Sequence, residues 1–410
     1  MSRSEGTATK RTELNSLLAA SGVSGLGDGL RQAAIPLLAA SLTRSPSAVA
    51  VVSVAQTLPW LIVSMPAGAL IDRWARRRTI LVVNVVRGLL MVALGVLAGS
   101  GTATLPVLVV LAFVFASVEV VADTAAQAVL PAIVAREDLE WANGRLFALQ
   151  TGSAQFVGPP LGGVLFAVSK SVPFLSDGIS FLTAAALLRR IHPLPPAETN
   201  HGRFGAQIAE GLRFLLHHRV LRVIALMSGF GNIMLQMFIS VFVLYVLEEL
   251  HGSSVLYGIL LAVLAGGVTT GSLLAPRVKQ RFGETVVLMS GAGLLGVPLG
   301  ALAIVPNVVL TGAAVFLSGL GMGLWQVMSS SLRQALTPDR LLGRVMSSYR
   351  LVGRGASSLG GVFGGAVAAR FGLRAPSLVC ALGMLVLIVL SIPALRPGIV
   401  ARARAAAIEG

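Results

Sequence analysis

The segment Gly68-Ala-Leu-Ile-Asp72-Arg73-Trp74-Ala-Arg76-Arg77-Arg78 is a densely charged hinge between two long apolar runs. Residues 47–67 before it and 79–99 after it contain one charge, Arg87. About 20 apolar residues in a row are what a helix needs to cross the hydrocarbon core of a bilayer. The hinge must therefore lie at a membrane surface. The whole chain is 55% hydrophobic and 12% charged, against about 25% charged in a soluble domain, so it reads as a polytopic membrane protein.

Twelve apolar spans are expected, at 14–42, 47–70, 79–99, 103–130, 143–168, 172–189, 220–248, 253–275, 284–305, 307–332, 343–369 and 374–395. With the N-terminus in the cytoplasm, 24 of the 32 Lys and Arg fall on the cytoplasmic side. Four fall outside (Arg44, Lys170, Arg370, Arg374), and four lie within spans (Arg31, Arg87, Arg350, Arg354). This asymmetry places both termini in the cytoplasm. The net charge of +15 thus records topology, and no nucleic-acid partner is expected. The single cysteine, Cys380, permits no internal disulfide. Residues 1–13 are polar with no cleavage site before span one, so no signal peptide is expected. Arginine outnumbers lysine 29 to 3, which suggests a GC-rich bacterial genome; the expected location of such a multi-span chain is the bacterial inner membrane.

The longest non-apolar segment, 190–219, lies at the midpoint and opens with His192-Pro-Leu-Pro-Pro196, which cannot continue a helix. Phe204, Ile208, Leu212 and Leu215 then recur at helical spacing, with Glu210, Arg213 and His217 off that stripe. An amphipathic helix on the cytoplasmic membrane face is expected. The halves repeat. Gly144-Arg145 followed by Leu161-Gly162-Gly163 matches Gly343-Arg344 followed by Leu359-Gly360-Gly361, and Gly68 of the hinge matches Gly271. The expected organisation is a tail (1–13), an N-terminal six-helix bundle (14–189), a linker (190–219), a C-terminal six-helix bundle (220–395) and a second tail (396–410). Such a design is common among secondary transporters.

Twelve spans, the charged hinge, its weaker second copy and the central linker together resemble the major facilitator superfamily. Gly27-Asp28-Gly29 before Ile35-Pro36, Trp141-Ala-Asn143-Gly at span five and Gly158-Pro159-Pro160-Leu-Gly162-Gly163 within it are similar to the drug:proton antiporter group. So are Glu210-Gly-Leu-Arg213-Phe before span seven and Gly343-Arg344-Val-Met-Ser at span eleven. That group includes macrolide efflux proteins and the enterobactin exporter. The resemblance implies an all-α fold of two pseudo-symmetric six-helix bundles. It also implies a conformational motif at Gly68, Asp72, Arg73, Arg76, Arg77 and Arg78, where Asp72 docks on the neighbouring bundle and stabilises the outward-open state. Gly158, Pro159, Gly162 and Gly163 form the exporter-type motif; physically, they permit close helix contact and a bend.

Charges deep in a span are costly, about 2.5–3.5 kcal/mol each on insertion scales, and are functional candidates by default. Asp28 lies about 21 Å into span one and shares a face with Ser21, Ser24 and Arg31. It is read as a proton or cationic-substrate site; the plainer alternative is a static pair with Arg31. Span four carries Glu119, Asp123 and Gln127 on one face. Asp123 and Arg87 sit at matching depth, about 10 and 12 Å from the cytoplasmic end, so a structural pair is expected there. The proton-coupling candidates are Asp28, Glu119 and Asp123, with Glu119 the deeper of the two on span four. Span eleven carries Ser347, Arg350, Arg354 and Ser357 on one face. These arginines either hold an anionic or carbonyl-rich group or pair across the halves with Asp28 or Glu119 as a gate. Spans seven (Ser228, Asn232, Gln236, Ser240) and ten (Trp325, Gln326, Ser329, Ser330) add polar stripes, with Met234, Met237, Phe230 and Phe238 nearby. The expected substrate cavity comprises Asp28, Arg31, Gln127, Gln150, Gln155, Asn232, Gln236, Trp325, Gln326, Arg350 and Arg354.

These features point to an exporter of lipophilic small molecules energised by proton exchange. A dedicated exporter of one metabolite and a non-transporting sensor or scaffold are the alternatives. No G-x-x-x-x-G-K-[ST] occurs to support ATP-driven pumping, and no catalytic function is expected. The five histidines lie outside the spans and suggest no metal site; no cofactor is expected. The expected partners are a small-molecule substrate, protons and the lipid bilayer, with the chain acting as a monomer.

Overall fold

The computed structural model describes residues 3–63, 76–126, 130–134, 138–189, 192, 204–395 and 398–399. Gly68, Asp72, Arg73 and Gln127 lie outside the described residues.

Helices occupy the apolar spans in order. Span one is one long helix, Arg3–Leu42, that begins within the polar N-terminal stretch. Glu13 near its start is buried and accepts from the His192 backbone N–H at 2.9 Å, tying the start of the linker to span one. Helix Pro46–Ile62 follows, then Arg76–Gly99, Leu105–Ala126 and Leu139–Thr151. Span five continues through a π-helix, Gly152–Val157, into Gly158–Val168. The widening has a local cause, because Pro159 and Pro160 have no N–H to return to the carbonyls four residues back.

Helix Arg76–Gly99 shows why a bilayer is required. Ile80, Val83, Arg87, Met91, Leu94 and Ala98 form its buried stripe. The opposite stripe is Val82, Val85, Leu89 and Val96, all exposed. A helix in water turns polar residues outward; along its apolar length this one turns an apolar stripe outward and keeps Arg87 inside. Among the described residues, six helices are long and apolar enough to cross a membrane, and three shorter apolar ones accompany them.

The chain forms two compact units. The first comprises Met1–Thr43, Leu58–His201 and Ser253–Ala262; the second comprises Arg44–Thr57, Gly202–Gly252 and Val263–Gly410. Within the first, span one packs on spans five and six, and span three on span six. Within the second, span seven packs on spans eleven and twelve, and span nine on span ten. Each unit thus includes a short helical stretch from the other half of the sequence.

The repeated Leu-Gly-Gly explains this exchange. A Cβ on Gly162 would stand 2.6 Å from the carbonyl oxygen of Leu30 in span one, and one on Gly163 would collide with the backbone of Ser254. In the second copy a Cβ on Gly360 would collide with the backbone of Ile233 in span seven, and one on Gly361 would stand 2.8 Å from Val54. One glycine of each pair therefore seats the parent bundle's first helix, and the other seats the exchanged stretch. Ser254 Oγ donates to Gly163 O at 2.9 Å, and Ser47 Oγ to Gly365 O at 3.1 Å. Arg44 and Arg374 pair with Glu248 at 3.3 Å and Glu249 at 2.7 Å.

The linker helix is Phe204–His217. Leu215 is buried with Ala225, Leu341 and Val345, and Glu210 pairs with Arg344. That end of the stripe covers the start of spans seven and eleven, where the spacing alone suggested a lipid surface.

Candidate functional site

Span one brings Asp28 and Arg31 to the same face, one helical turn apart. Flanking glycines let other helices close around them. A Cβ on Gly27 would collide with Asp177 and Ser180 of span six, and one on Gly29 would stand 2.5 Å from the carbonyl oxygen of Ala154 in span five. A Cβ on Gly158 would in turn stand 2.5 Å from the Gly29 Cα. The exporter-type motif and the Gly27-Asp28-Gly29 triplet are thus two sides of one contact, which sets Asp28 among spans three, four and six.

There it meets a closed network. Arg31 Nη2 donates to Asp28 Oδ1 at 3.0 Å and to Glu119 Oε1 at 3.1 Å. Arg87 Nη2 donates to the same two oxygens, at 2.9 and 3.5 Å. Two guanidiniums and two carboxylates form a ring of four charge-assisted bonds. Phe115 lies beneath both cations, 4.2 Å from the Arg31 guanidinium carbon and 5.0 Å from that of Arg87; Phe181 lies 4.0 Å from the latter. Both rings are fully buried, so they supply cation–π attraction where water cannot.

A third carboxylate joins them. Asp177 of span six is completely buried, with Oδ2 at 3.7 Å from Arg31 Nε. Oδ2 has no hydrogen-bond partner, and neither have the Nε atoms of Arg31 and Arg87. Oδ1 accepts from Ser180 Oγ at 3.4 Å. With all groups ionised, three carboxylates face two guanidiniums, an excess of one negative charge. Depth arguments on spans one and four do not reach Asp177. Its signal in the sequence was plain, since it is the one charge between Lys170 and Arg189.

The structure corrects the expected partner of Arg87. Arg87 closes on Asp28 and Glu119, while Asp123, at equal depth along its span, is exposed. Glu119 lies one turn before Asp123 on the same face of span four, and it is the Glu119 carboxylate that reaches both cations. The Asp28–Arg31 pair expected from spacing is present, as part of the larger ring.

The expected substrate residues fall into separate sets. Asp28 and Arg31 belong to the ring. Gln150 and Gln155 are exposed on span five. Gln236 donates to Ser53 Oγ at 2.7 Å. Asn232, Trp325, Gln326, Arg350 and Arg354 line one cavity of about 490 Å³ inside the second unit. That cavity also takes Arg333, which sequence reading assigned to the cytoplasmic edge; it is buried, 7% exposed. Of the hinge, Arg76 begins a helix and Arg77 Nη2 donates to Arg189 O at 2.6 Å. Among the described residues no group of His, Cys, Asp and Glu is arranged to hold a metal.

Residues 8–405 match the family model described as transmembrane secretion effector. The multidrug efflux pump Tap of Mycobacterium tuberculosis (strain ATCC 25618 / H37Rv) is 29% identical over 387 residues, 90% of this chain and 91% of that protein. The enterobactin exporter EntS of Citrobacter koseri is 27% identical over 311 residues, 73% of this chain and 72% of that protein. The crystal structure of the nucleoside transporter NupG superposes with a TM-score of 0.75 at 13% identity, over 93% of this chain and 99% of that one. The fold is the twelve-helix fold of two pseudo-symmetric six-helix bundles.

Proposed function

Because the chain belongs to the transmembrane secretion effector family of the major facilitator superfamily, we propose that it exports lipophilic small molecules from the cytoplasm in exchange for protons. The single observation that carries the coupling half of this reading is the excess carboxylate in the Asp28–Arg31–Arg87–Glu119–Asp177 cluster. One proton neutralises that excess. A largely buried, near-neutral network and one carrying a net charge differ in how well they tolerate rearrangement of the helices that hold them. Protonation therefore biases one conformation over the other, which is the condition for a bound ion to shift a two-state equilibrium.

In this reading Asp28, Glu119 and Asp177 share the proton and Arg31 and Arg87 hold them in place. Asp123 is outside the relay. The cavity of the second unit holds cargo. Spans 14–189 and 220–395 move as two bundles about the linker, both termini face the cytoplasm of a bacterial inner membrane, and the monomer is the working unit.

The test is transport by the full chain in proteoliposomes with an imposed pH gradient, using a panel of fluorescent lipophilic dyes. Dye movement that follows the gradient, stops on adding a protonophore and releases protons in proportion supports the reading. Dye movement indifferent to the gradient and to the protonophore removes it.

A further inference from the structure

The cavity of the second unit has a charge character of its own. Three of its lining residues are arginines, Arg333, Arg350 and Arg354, and among the described residues that line it there is no Asp or Glu. Its volume of about 490 Å³ lies in the range of small-molecule sites. Arg333 is the unusual member. It is 7% exposed, its Nε and Nη1 have no hydrogen-bond partner, and its guanidinium carbon lies 3.5 Å from the centre of the Tyr349 ring. Those two nitrogens are enclosed by protein, and Arg333 also lines the cavity; a guanidinium so far removed from water gains strongly from an acceptor that enters the cavity. The rest of the wall is apolar and deformable. Met227, Met322, Met346 and Met384 line it, with the Trp325 indole. Methionines repack around bodies of varied shape, and an indole stacks on flat ones.

We propose that this cavity binds small molecules that carry one anionic group on a flat aromatic or conjugated body. The anion bonds Arg333, the body lies against Trp325, and the methionines adapt to its outline. This names the cargo class of the export reading above and rests on that reading for its physiological sense, although binding itself is measured without transport. Planar guanidinium favours carboxylate, sulfonate or enolate oxygens, which accept two N–H bonds at once. Neutral and cationic relatives of the same shape bring no negative charge to a cavity lined by Arg333, Arg350 and Arg354 and bind more weakly.

The test uses the purified full chain in nanodiscs of phosphatidylcholine, which is zwitterionic. The probes are 1-naphthalenesulfonate, neutral 1-naphthalenemethanol and cationic 1-naphthylmethylammonium, read by tryptophan fluorescence; Trp325→Phe assigns the signal to the cavity. The expected result is saturable quenching by the sulfonate, with the two controls at least about tenfold weaker. Arg333→Gln should weaken the sulfonate by about tenfold or more, as loss of a charge-assisted bond does, and leave the neutral probe unchanged. Arg333→Lys should restore part of the difference, which a merely structural role for the residue does not predict. Equal affinity for the three probes in the parent protein overturns the proposal even if every variant misfolds. So does preference for the sulfonate that survives both Arg333→Gln and Trp325→Phe. Adding phosphatidylglycerol distinguishes the source of the anion: if it abolishes sulfonate binding, the cavity is a lipid-headgroup site and the proposal fails. Dye export run in parallel tests the transport reading alone, so a protein that exports dyes but does not prefer the anion loses only this inference.

Discussion

Arg31 Nε stands 3.7 Å from Asp177 Oδ2, and neither atom has a hydrogen-bond partner. The same guanidinium closes on Asp28 at 3.0 Å and on Glu119 at 3.1 Å. A shift of less than about 1 Å brings Asp177 within bonding range. The cluster therefore holds one committed pair of carboxylates and one in reserve, on three different spans.

Asp177→Asn removes the excess charge permanently. Uphill dye export driven by a pH gradient should fall at least about tenfold, a change of about 1.4 kcal/mol, while downhill dye movement continues. Measured in proteoliposomes, gradient-driven export equal to that of the parent would falsify a role for this carboxylate in coupling.

Arg87→Gln leaves three carboxylates on one guanidinium. Breaking one partner of a buried ion network typically costs about 3–5 kcal/mol, so thermal unfolding in detergent should move down sharply. Arg87→Lys should recover part of the loss, because the charge returns without the planar fork that reaches both oxygens and stacks on Phe181.

At Gly158 an added methyl stands 2.5 Å from the Gly29 Cα. Gly158→Ala should cost about 1–3 kcal/mol by forcing spans one and five apart and should impair export. Gly144→Ala, where a Cβ meets nothing within 4 Å, is the control. Equal melting temperatures for the two variants contradict the close contact.

Leu215 anchors the linker helix at 1% exposure against Ala225, Leu341 and Val345. Leu215→Ala should cost about 2–5 kcal/mol locally and detach the helix, seen as faster proteolysis between 190 and 219. A helix that instead lay only on lipid would show no such acceleration.

His218 caps helix Arg219–Leu244, its Nδ1 accepting from the Leu221 backbone N–H at 3.4 Å. Burial lowers the imidazole below its ordinary range, outweighing a hydrogen bond with its own backbone. The unfolded chain then takes up a proton before the folded one. This contribution to stability is complete above the unfolded value of about 6.5 and is lost as the pH falls through the lower folded value. His218→Asn keeps a capping acceptor without the titration; its melting temperature should fall less than the parent's between about pH 7.5 and 5.5. Parallel curves would show that His218 does not titrate on unfolding.

The sequence by itself determined the membrane, the twelve spans and the internal repeat, because hydrocarbon imposes a length and a polarity on every crossing helix. It also marked Asp28, Arg31, Arg87 and Glu119, since a charge in an apolar run stands out in one dimension. Asp177 carried the same mark. Which charges meet was not legible. Depth along a helix is one coordinate, and pairing also needs the rotation and distance of the neighbouring helix. Equal depth favoured Asp123 for Arg87, whereas the packing of Gly27 and Gly29 against spans five and six set Asp28 beside it, and Glu119, one turn before Asp123, is the span-four carboxylate within its reach. The burial of Arg333 at the end of span ten, and the gathering of spans seven, nine, ten, eleven and twelve around one cavity, were likewise decided by tertiary packing, where small residues at i+4 spacing set how closely two helices approach.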